Sequence, residues 1–428
     1  MRPHMAGSAR KLPIVVGTTF EWFDLTVYAF FASTIARQFF PPGNEQAAVL
    51  SAAAAFGVAF LMRPVGALAF GRIGDRLGRK TALTLSFALM AVATAMIALA
   101  PTFAQVGVLA PVILVAARLL QGFAASGEVG ASVALLLETT DPRRQGDAAG
   151  WLNLGVYSAL LLGSLSSLAV YSLLPAQAVE SWGWRLPFLF GLLVAPAGLY
   201  VRLAMGESPQ FLAMRSGPVE PRAGRDQVLR VLQLIGLAGF GSPVIYLVLI
   251  FMPTYATGEL GLAQSVPRLS TSIASVLLVV LLVPIGRLCD RVGSWRVMTI
   301  SCAAGTALVL PLLFHLIAAP SLAALLALQC ALSVCVAGYI AASAPVAIRL
   351  FPVRHRAMGI GLGYNLGVVV FGAFAPFVTS WLAAVFHEKA VIAWYVFGGG
   401  LVALVVCWSL RPVAGEERVV LEAADRAA

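Results

Sequence analysis

A chain of 428 residues that is 60% hydrophobic and only 11% charged cannot wet the surface of an ordinary soluble fold, where about 25% of residues are charged. The solvent around most of it must be lipid. The formal charge of +10 does not point to nucleic acid, because most Lys and Arg fall on one side of a simple hydropathy topology; only Arg37, Arg185, Arg268 and Lys389 fall on the other, and Arg63 and Arg118 lie inside hydrophobic runs.

That asymmetry is the positive-inside bias, and it places both termini in the cytoplasm. Residues Arg2 to Lys11 precede an apolar stretch as a leader would. The stretch carries Glu21 and Asp24 and has no convincing cleavage site, so it reads as a retained first helix.

A spanning helix needs about 20 mostly apolar residues. Such runs fit at 13–36, 47–71, 81–99, 106–138, 147–174 and 184–205, and again at 229–257, 264–287, 295–316, 320–350, 356–385 and 389–410. Long runs without alternation exclude a lipid-facing barrel. The expected fold is all-α and membrane-integral, with twelve helices in two similar six-helix bundles. The first bundle covers 1–205, a Pro- and Arg-containing cytoplasmic linker 206–228, the second bundle 229–410, and a short charged tail 411–428.

An internal repeat supports the division. Gly71-Arg-Ile-Gly-Asp75-Arg76-Leu-Gly78-Arg79-Lys80 follows the second helix, and Gly286-Arg-Leu-Cys-Asp290-Arg291-Val-Gly293 follows the eighth. A second echo pairs Pro142-Arg-Arg144 with Pro352-Val-Arg354, after the fourth and tenth helices. Two matches in equivalent slots mark duplicated halves. The five cysteines all lie in the second half without CxxC spacing, so neither a disulfide framework nor a metal site is expected. No cofactor is expected, and no Ser/His/Asp set or phosphate loop marks an enzyme.

Charges in mid-membrane cost about 2.5–3.5 kcal/mol each on insertion scales, so they are functional candidates. The topology buries Glu21, Asp24, Arg63, Arg118 and Glu128, all in the first half. Glu21, Asp24 and Tyr28 share one face of the first helix. Two carboxylates so close should not both stay ionised in low dielectric. Proton coupling is therefore expected at Glu21, Asp24 or Glu128; the alternative is static pairing with Arg118 or Arg63. Arg118 and Gln121 lie one turn apart on the fourth helix. A guanidinium offers a planar fork suited to carboxylate, so Arg118, with Arg63 and Gln121, is the expected anion contact. Tyr28, Asn153, Tyr157, Tyr364 and Asn365 are further candidates for the substrate cavity. Gly122, Ser126 and Gly130, and Gly359, Gly363 and Gly367, have the small-xxx-small spacing that lets helices approach closely.

The stretch from Gly71 to Lys80 resembles the signature of the major facilitator superfamily. Glu21-Trp-Phe-Asp24, Arg63-Pro-Val-Gly, Arg118-Leu-Leu-Gln121-Gly, Gly127-Glu128-Val-Gly130, Trp182-Gly-Trp-Arg185, Glu207-Ser-Pro-Gln and Met252-Pro-Thr-Tyr255 resemble its metabolite:proton symporter branch. Within the branch, Phe60-Leu-Met-Arg63-Pro and Leu109-Ala-Pro-Val112 are similar to citrate and tricarballylate carriers. The resemblance covers nearly the whole chain and is weakest over helices eight to twelve. It implies a monomeric transporter of the bacterial inner membrane, taking up a small anionic substrate with protons by alternating access. It also implies a cytoplasmic gate built from Gly71, Asp75, Arg76, Gly78, Arg79 and Lys80, with Asp290, Arg291 and Arg144. Betaine or proline is the alternative cargo. Drug/proton antiport is disfavoured because the fifth helix lacks a Gly-Pro signature, and a sensor because no signalling domain is appended.

Overall fold

Backbone amides in hydrocarbon must be satisfied within their own segment, and the chain meets that demand with helices alone among the described residues. The computed structural model describes residues 11–40, 45–77, 79–127, 140–193, 225–351 and 356–411, together with 133 and 136. Its long helices are α1 (Lys11–Phe30, continued by Ala32–Phe39), α2 (Glu45–Leu77), α3 (Arg79–Ala98), α4 (Leu109–Ala124), α5 (Gln145–Leu173) and α6 (186–193). The second set is α7 (Arg225–Pro243), α8 (Ser265–Val292), α9 (Ser294–Ala318), α10 (Leu322–Leu350), α11 (Arg356–Val368) and α12 (Val391–Ser409). Among the described residues seven segments are long and apolar enough to cross a membrane, Gln145–Leu173 and Asp226–Gly258 included, and three shorter apolar helices accompany them. Large apolar side chains such as Leu173, Leu193, Val405 and Trp408 lie exposed on the outside, as lipid contact requires.

Several boundaries differ from the sequence reading. The first run is broken at Phe31, which takes a turn conformation between two helical pieces. The fourth starts at Leu109, after a separate short helix Phe103–Val106, and its described part tightens into a 3-10 turn at Ala125–Gly127. Residues 71–77 are the last turns of α2, so most of the first expected loop motif is helix. Likewise α8 runs to Val292, which puts Asp290 and Arg291 in its final turn. The expected linker lies mostly outside the described residues, and α7 starts at Arg225. α7 continues through a π-helical stretch, Val244–Phe251, into Met252–Gly258; α11 does the same through Val369–Ala373 into Ala375–Phe386. Such wide turns recur at functional sites.

Within the first half α1 packs on α5 and α2 on α4; within the second α7 packs on α11 and α12, and α10 on α8 and α9. Small residues set these distances. A Cβ on Gly122 would run into the Ala59 carbonyl of α2, and one on Gly66 into the Phe123 carbonyl of α4. Gly363 and Gly367 of α11 lie against Leu234 and Ala238 of α7.

The halves meet along a long antiparallel seam between α5 and α8. At one end a Cβ on Gly150 would stand 2.7 Å from the Leu282 carbonyl oxygen, while Gly146 abuts the Gly286 backbone. This end also gathers the start of α9 and the end of α12, through a 2.8 Å bond from Trp295 Nε1 to the Cys407 carbonyl. The start of α7 joins it through Arg230, which donates to the Leu350 carbonyl at the end of α10. Because α1 begins and α12 ends there, we call it the terminal face.

Candidate functional site

A cavity of about 210 Å³ lies between the halves, lined from α1, α2 and α5 on one side and from α7, α10 and α11 on the other. Among the described residues its wall is mainly aliphatic and carries seven aromatic side chains: Trp22, Phe56, Phe60 and Tyr157 from the first half, Tyr246, Tyr339 and Tyr364 from the second. Polar groups are few and include Thr18, Thr26, Asn153, Ser242 and Ser343. Such a wall, mainly apolar with a few polar groups, is usual for small-molecule sites. Phe56 and Phe60 meet Tyr246 at ring-centroid distances of 5.8 and 5.6 Å, the latter edge-on, so aromatic contacts cross the interface here.

Immediately behind these rings stand the buried charges. Arg63 is 1% exposed, with its guanidinium 4.2 Å from the centroid of the Phe60 ring and 4.8 Å from that of Trp22. Arg118 is fully buried, 4.2 Å over Tyr28 and 5.3 Å from Phe56. It donates to the Phe56 carbonyl at 3.2 Å and to Gln121 Oε1 at 2.8 Å. Among the described residues it has no carboxylate partner. Gln121 Nε2 in turn donates to Thr94 Oγ1 at 3.4 Å, and Thr94 donates to Asp24 Oδ2 at 2.6 Å. One chain of donors therefore leads from α4 through α3 to α1. The other carboxylate oxygen of Asp24 lies against Gly191 of α6 and has no hydrogen-bond partner among the described residues.

Of the residues singled out from sequence, Asn153, Tyr157 and Tyr364 line the cavity. Asn153 Nδ2 is held by the Ala149 carbonyl at 2.9 Å. Tyr28, Arg63, Arg118 and Gln121 sit behind the wall, and Asn365 turns back to the Gly361 carbonyl at 2.8 Å. The side chain of Glu21 and the whole of Glu128 lie outside the described residues. Sequence reasoning left out Thr94, which carries no charge and sits in an otherwise featureless apolar helix. It also left out Trp22, Phe56 and Phe60 as wall residues, because aromatic positions in a membrane helix look alike whether they face lipid or a cavity.

At the terminal face Asp290 accepts from the backbone N–H groups of Gly146 at 2.6 Å and Asp147 at 2.9 Å. The second copy of the repeated motif thus caps the N-terminus of α5, where unsatisfied amides and the helix dipole favour a carboxylate. Arg287 adds a 3.0 Å bridge to Asp147. Arg144 and Arg291 are exposed. The side chains of Asp75, Arg76, Arg79 and Lys80 lie outside the described residues, as does Gly78; Gly71 belongs to the helical backbone of α2. At the opposite face Arg268 of α8 lies 3.5 Å over the Tyr171 ring of α5 and donates to Ser167 Oγ at 3.3 Å. Tyr171 itself bonds Thr34 at 2.5 Å.

The sequence profile of the Major Facilitator Superfamily matches residues 14–315 and, a second time, 236–427. The chain belongs to the Major Facilitator Superfamily. It is a multi-pass membrane protein of a transporter family, not an enzyme. The overlapping match agrees with the repeated motif. A citrate-proton symporter of Klebsiella pneumoniae is 31% identical over 416 residues, covering 95% of this chain and 93% of that one. A Staphylococcus aureus protein, provisionally named a proline/betaine transporter, is 29% identical over 94% of this chain and 88% of its own. The E. coli xylose transporter XylE, in a partially occluded inward-open conformation, shares the fold with a TM-score of 0.75 at 16% identity, over 93% of this chain and 96% of that one.

Proposed function

We propose that this superfamily member is a proton-coupled symporter that takes up a small organic acid, a di- or tricarboxylate such as citrate or 2-oxoglutarate. Support comes chiefly from Arg118: a fully buried guanidinium, without a carboxylate partner among the described residues, tied through two neutral side chains to Asp24. A buried charge that loses its compensation costs several kcal/mol. Ionised Asp24 offsets the Arg118 charge in the empty form, and a substrate carboxylate offsets it when Asp24 is protonated, while Arg63 is a second buried cation for a second substrate carboxylate. Substrate without the proton, or the proton without substrate, changes the balance at Arg118 by one charge, and that penalty links the two fluxes.

In this reading Arg118 and Arg63 reach the substrate when Phe56 and Phe60 move, and Tyr157, Tyr246, Tyr364 and Asn153 contact the rest of it. Asp24 carries the proton, with Glu21 and Glu128 as further carboxylates of the first half. The bundles 1–205 and 229–410 rock about the cavity, and Asp290, Arg287 and Asp147 hold the terminal face with the motif Gly71–Lys80. The terminal face is cytoplasmic in a bacterial inner membrane, and the unit is the monomer. Inward proton movement supplies about 2.3 kcal/mol per charge per 100 mV.

A second reading, a zwitterionic osmolyte such as betaine or proline, is favoured by the aromatic side chains of the wall, since quaternary ammonium groups bind over such rings. It fits the relative from Staphylococcus aureus equally well.

Uptake into proteoliposomes driven by an imposed proton gradient separates the readings, with radiolabelled citrate, tricarballylate, 2-oxoglutarate and shikimate beside betaine and proline. The acid reading expects a carboxylate to accumulate in wild type, no uptake in Arg118→Ala, and exchange without accumulation in Asp24→Asn. Accumulation of betaine or proline alone removes the acid reading. Normal accumulation in Asp24→Asn removes the proton assignment.

A further inference from the structure

We propose that Thr94 is the coupling residue of this transporter, the switch that makes anion binding at Arg118 depend on protonation of Asp24. The inference rests on the reading of those two groups as anion and proton sites. Its basis is the direction of the bonds. Arg118 donates to Gln121, Gln121 donates to Thr94, and Thr94 donates to Asp24, at 2.8, 3.4 and 2.6 Å. Every hydrogen points toward the carboxylate, so the run of donors is broken at Thr94 when the Asp24 proton sits on Oδ2, the oxygen that Thr94 bonds. A hydroxyl can accept on one side and donate on the other, which neither a carboxylate nor an ammonium can do.

Thr94 is fully buried, and its hydroxyl, like those of Thr19 and Thr34, is spent on other helices. Thr257, Thr299 and Thr379 each bond the carbonyl four residues earlier in their own helix, the usual local use of a helical threonine. Both hydrogen bonds of the Thr94 hydroxyl run to other helices, α1 and α4.

When Asp24 takes a proton from the aqueous phase, one O–H bond forms and the polarity at this contact reverses. The acid now donates to Thr94 Oγ1, and the threonine hydrogen must turn away. Thr94 Oγ1 then accepts from both Asp24 and Gln121, which loosens the 3.4 Å bond that orients Gln121 and, through it, Arg118. Arg118 is left with its charge uncompensated and its fork available, the condition in which a substrate carboxylate binds best. The charged and titratable groups along this chain of donors are Asp24 at one end and Arg118 of α4 at the other, with Tyr28 on α1, Arg63 of α2 and Tyr246 on α7 beside Arg118. Glu21 lies one turn earlier on α1, with its side chain outside the described residues. Among the described residues α3 contributes Thr94 and α6 contributes Gly191.

The test compares wild type, Thr94→Val and Thr94→Ser in proteoliposomes, using whichever acid of the four above wild type accumulates. In wild type the KM for exchange should rise about tenfold from about pH 6 to about pH 8, within the usual span of coupling between two sites. In Thr94→Val that rise should flatten to less than about threefold, and gradient-driven accumulation relative to exchange should fall about tenfold. Thr94→Ser should restore both. A wild-type pH dependence and accumulation ratio in Thr94→Val overturn the inference while leaving the symport reading intact.

A readout that needs no transport keeps the two apart. The infrared carbonyl band of protonated Asp24, assigned by its loss in Asp24→Asn, should shift when the acid that wild type accumulates is added to wild type and stay fixed in Thr94→Val. A band that responds equally in both overturns the role of Thr94. Should Thr94→Val fail to fold, Gln121→Met cuts the same chain one link away and should give the same flattened profile; an unflattened one again overturns the inference.

Discussion

The contact at Asp290 allows a population to be worked out from two hydrogen bonds. In Asp290→Asn a charged acceptor of two backbone N–H groups, at 2.6 and 2.9 Å, becomes a neutral amide whose single oxygen can hold only one well. Hydrogen bonds to charged groups contribute about 1.5–3 kcal/mol and neutral ones about 1. Because the site is only half-buried, the lower figures apply. Two bonds of about 1.5 kcal/mol replaced by one of about 1 leave a loss of about 2 kcal/mol, or roughly thirtyfold in the balance between joined and separated ends of α5 and α8.

A native reporter sits beside the contact. Cys289 is 1% exposed, and a Cβ on Gly146 would stand 2.9 Å from its Cβ, so its thiol is reachable only when the two helix ends part. The rate of maleimide labelling at Cys289, followed by mass spectrometry of its peptide, then tracks the separated fraction. Asp290→Asn should speed labelling about thirtyfold. Asp147→Asn weakens the bridge to Arg287, which is 61% exposed, and should change the rate less than about threefold, because exposed ion pairs contribute little. A change below about threefold in Asp290→Asn would refute the helix-capping account of this contact.

Other substitutions probe the packing and the opposite face. Gly122→Val places carbon against the Ala59 carbonyl; with overpacking costing typically about 1–3 kcal/mol, its melting temperature in detergent should fall clearly, and an unchanged one would disprove the tight α2–α4 seam. Gly191→Ala presses a methyl group on Asp24 Oδ1 and should weaken the 2.6 Å bond from Thr94. Loss of about 1.5 kcal/mol there predicts gradient-driven uptake about tenfold slower, and a wild-type rate contradicts it. Arg268→Met removes the cation above Tyr171 and the bond to Ser167. A desolvated cation–π contact contributes about 2 kcal/mol, so forms closed at the opposite face become rarer and Cys289 labelling should slow; faster labelling would show that Arg268 does not hold that face shut.

The membrane setting and the all-helical fold were legible in the sequence because they depend on composition and run length. A chain with 11% charged residues has no other way to meet its solvent, and runs of about 20 apolar residues have one common way to satisfy their amides in lipid. The repeated motif fixed the correspondence between Asp75 and Asp290, and the small-residue spacing of Gly122 and Ser126, and of Gly363 and Gly367, picked out faces that do meet other helices. The burial of Asp24, Arg63 and Arg118 was legible too, from their depth in apolar runs.

Their partners were not. Spacing along one helix shows which side chains share a face, but not which helix that face meets or at what rotation. Arg118 and Gln121 are three residues apart and their bond could be read locally. Asp24 and Thr94 are 70 residues apart, and Asp290 and Gly146 are 144 apart. Only the packing of α1 against α3, and of α5 against α8, brings those atoms together. The same holds for the cavity wall. Phe56, Phe60 and Tyr246 are apolar bulk in the sequence, and they become the cover over two buried cations because the halves close on each other there.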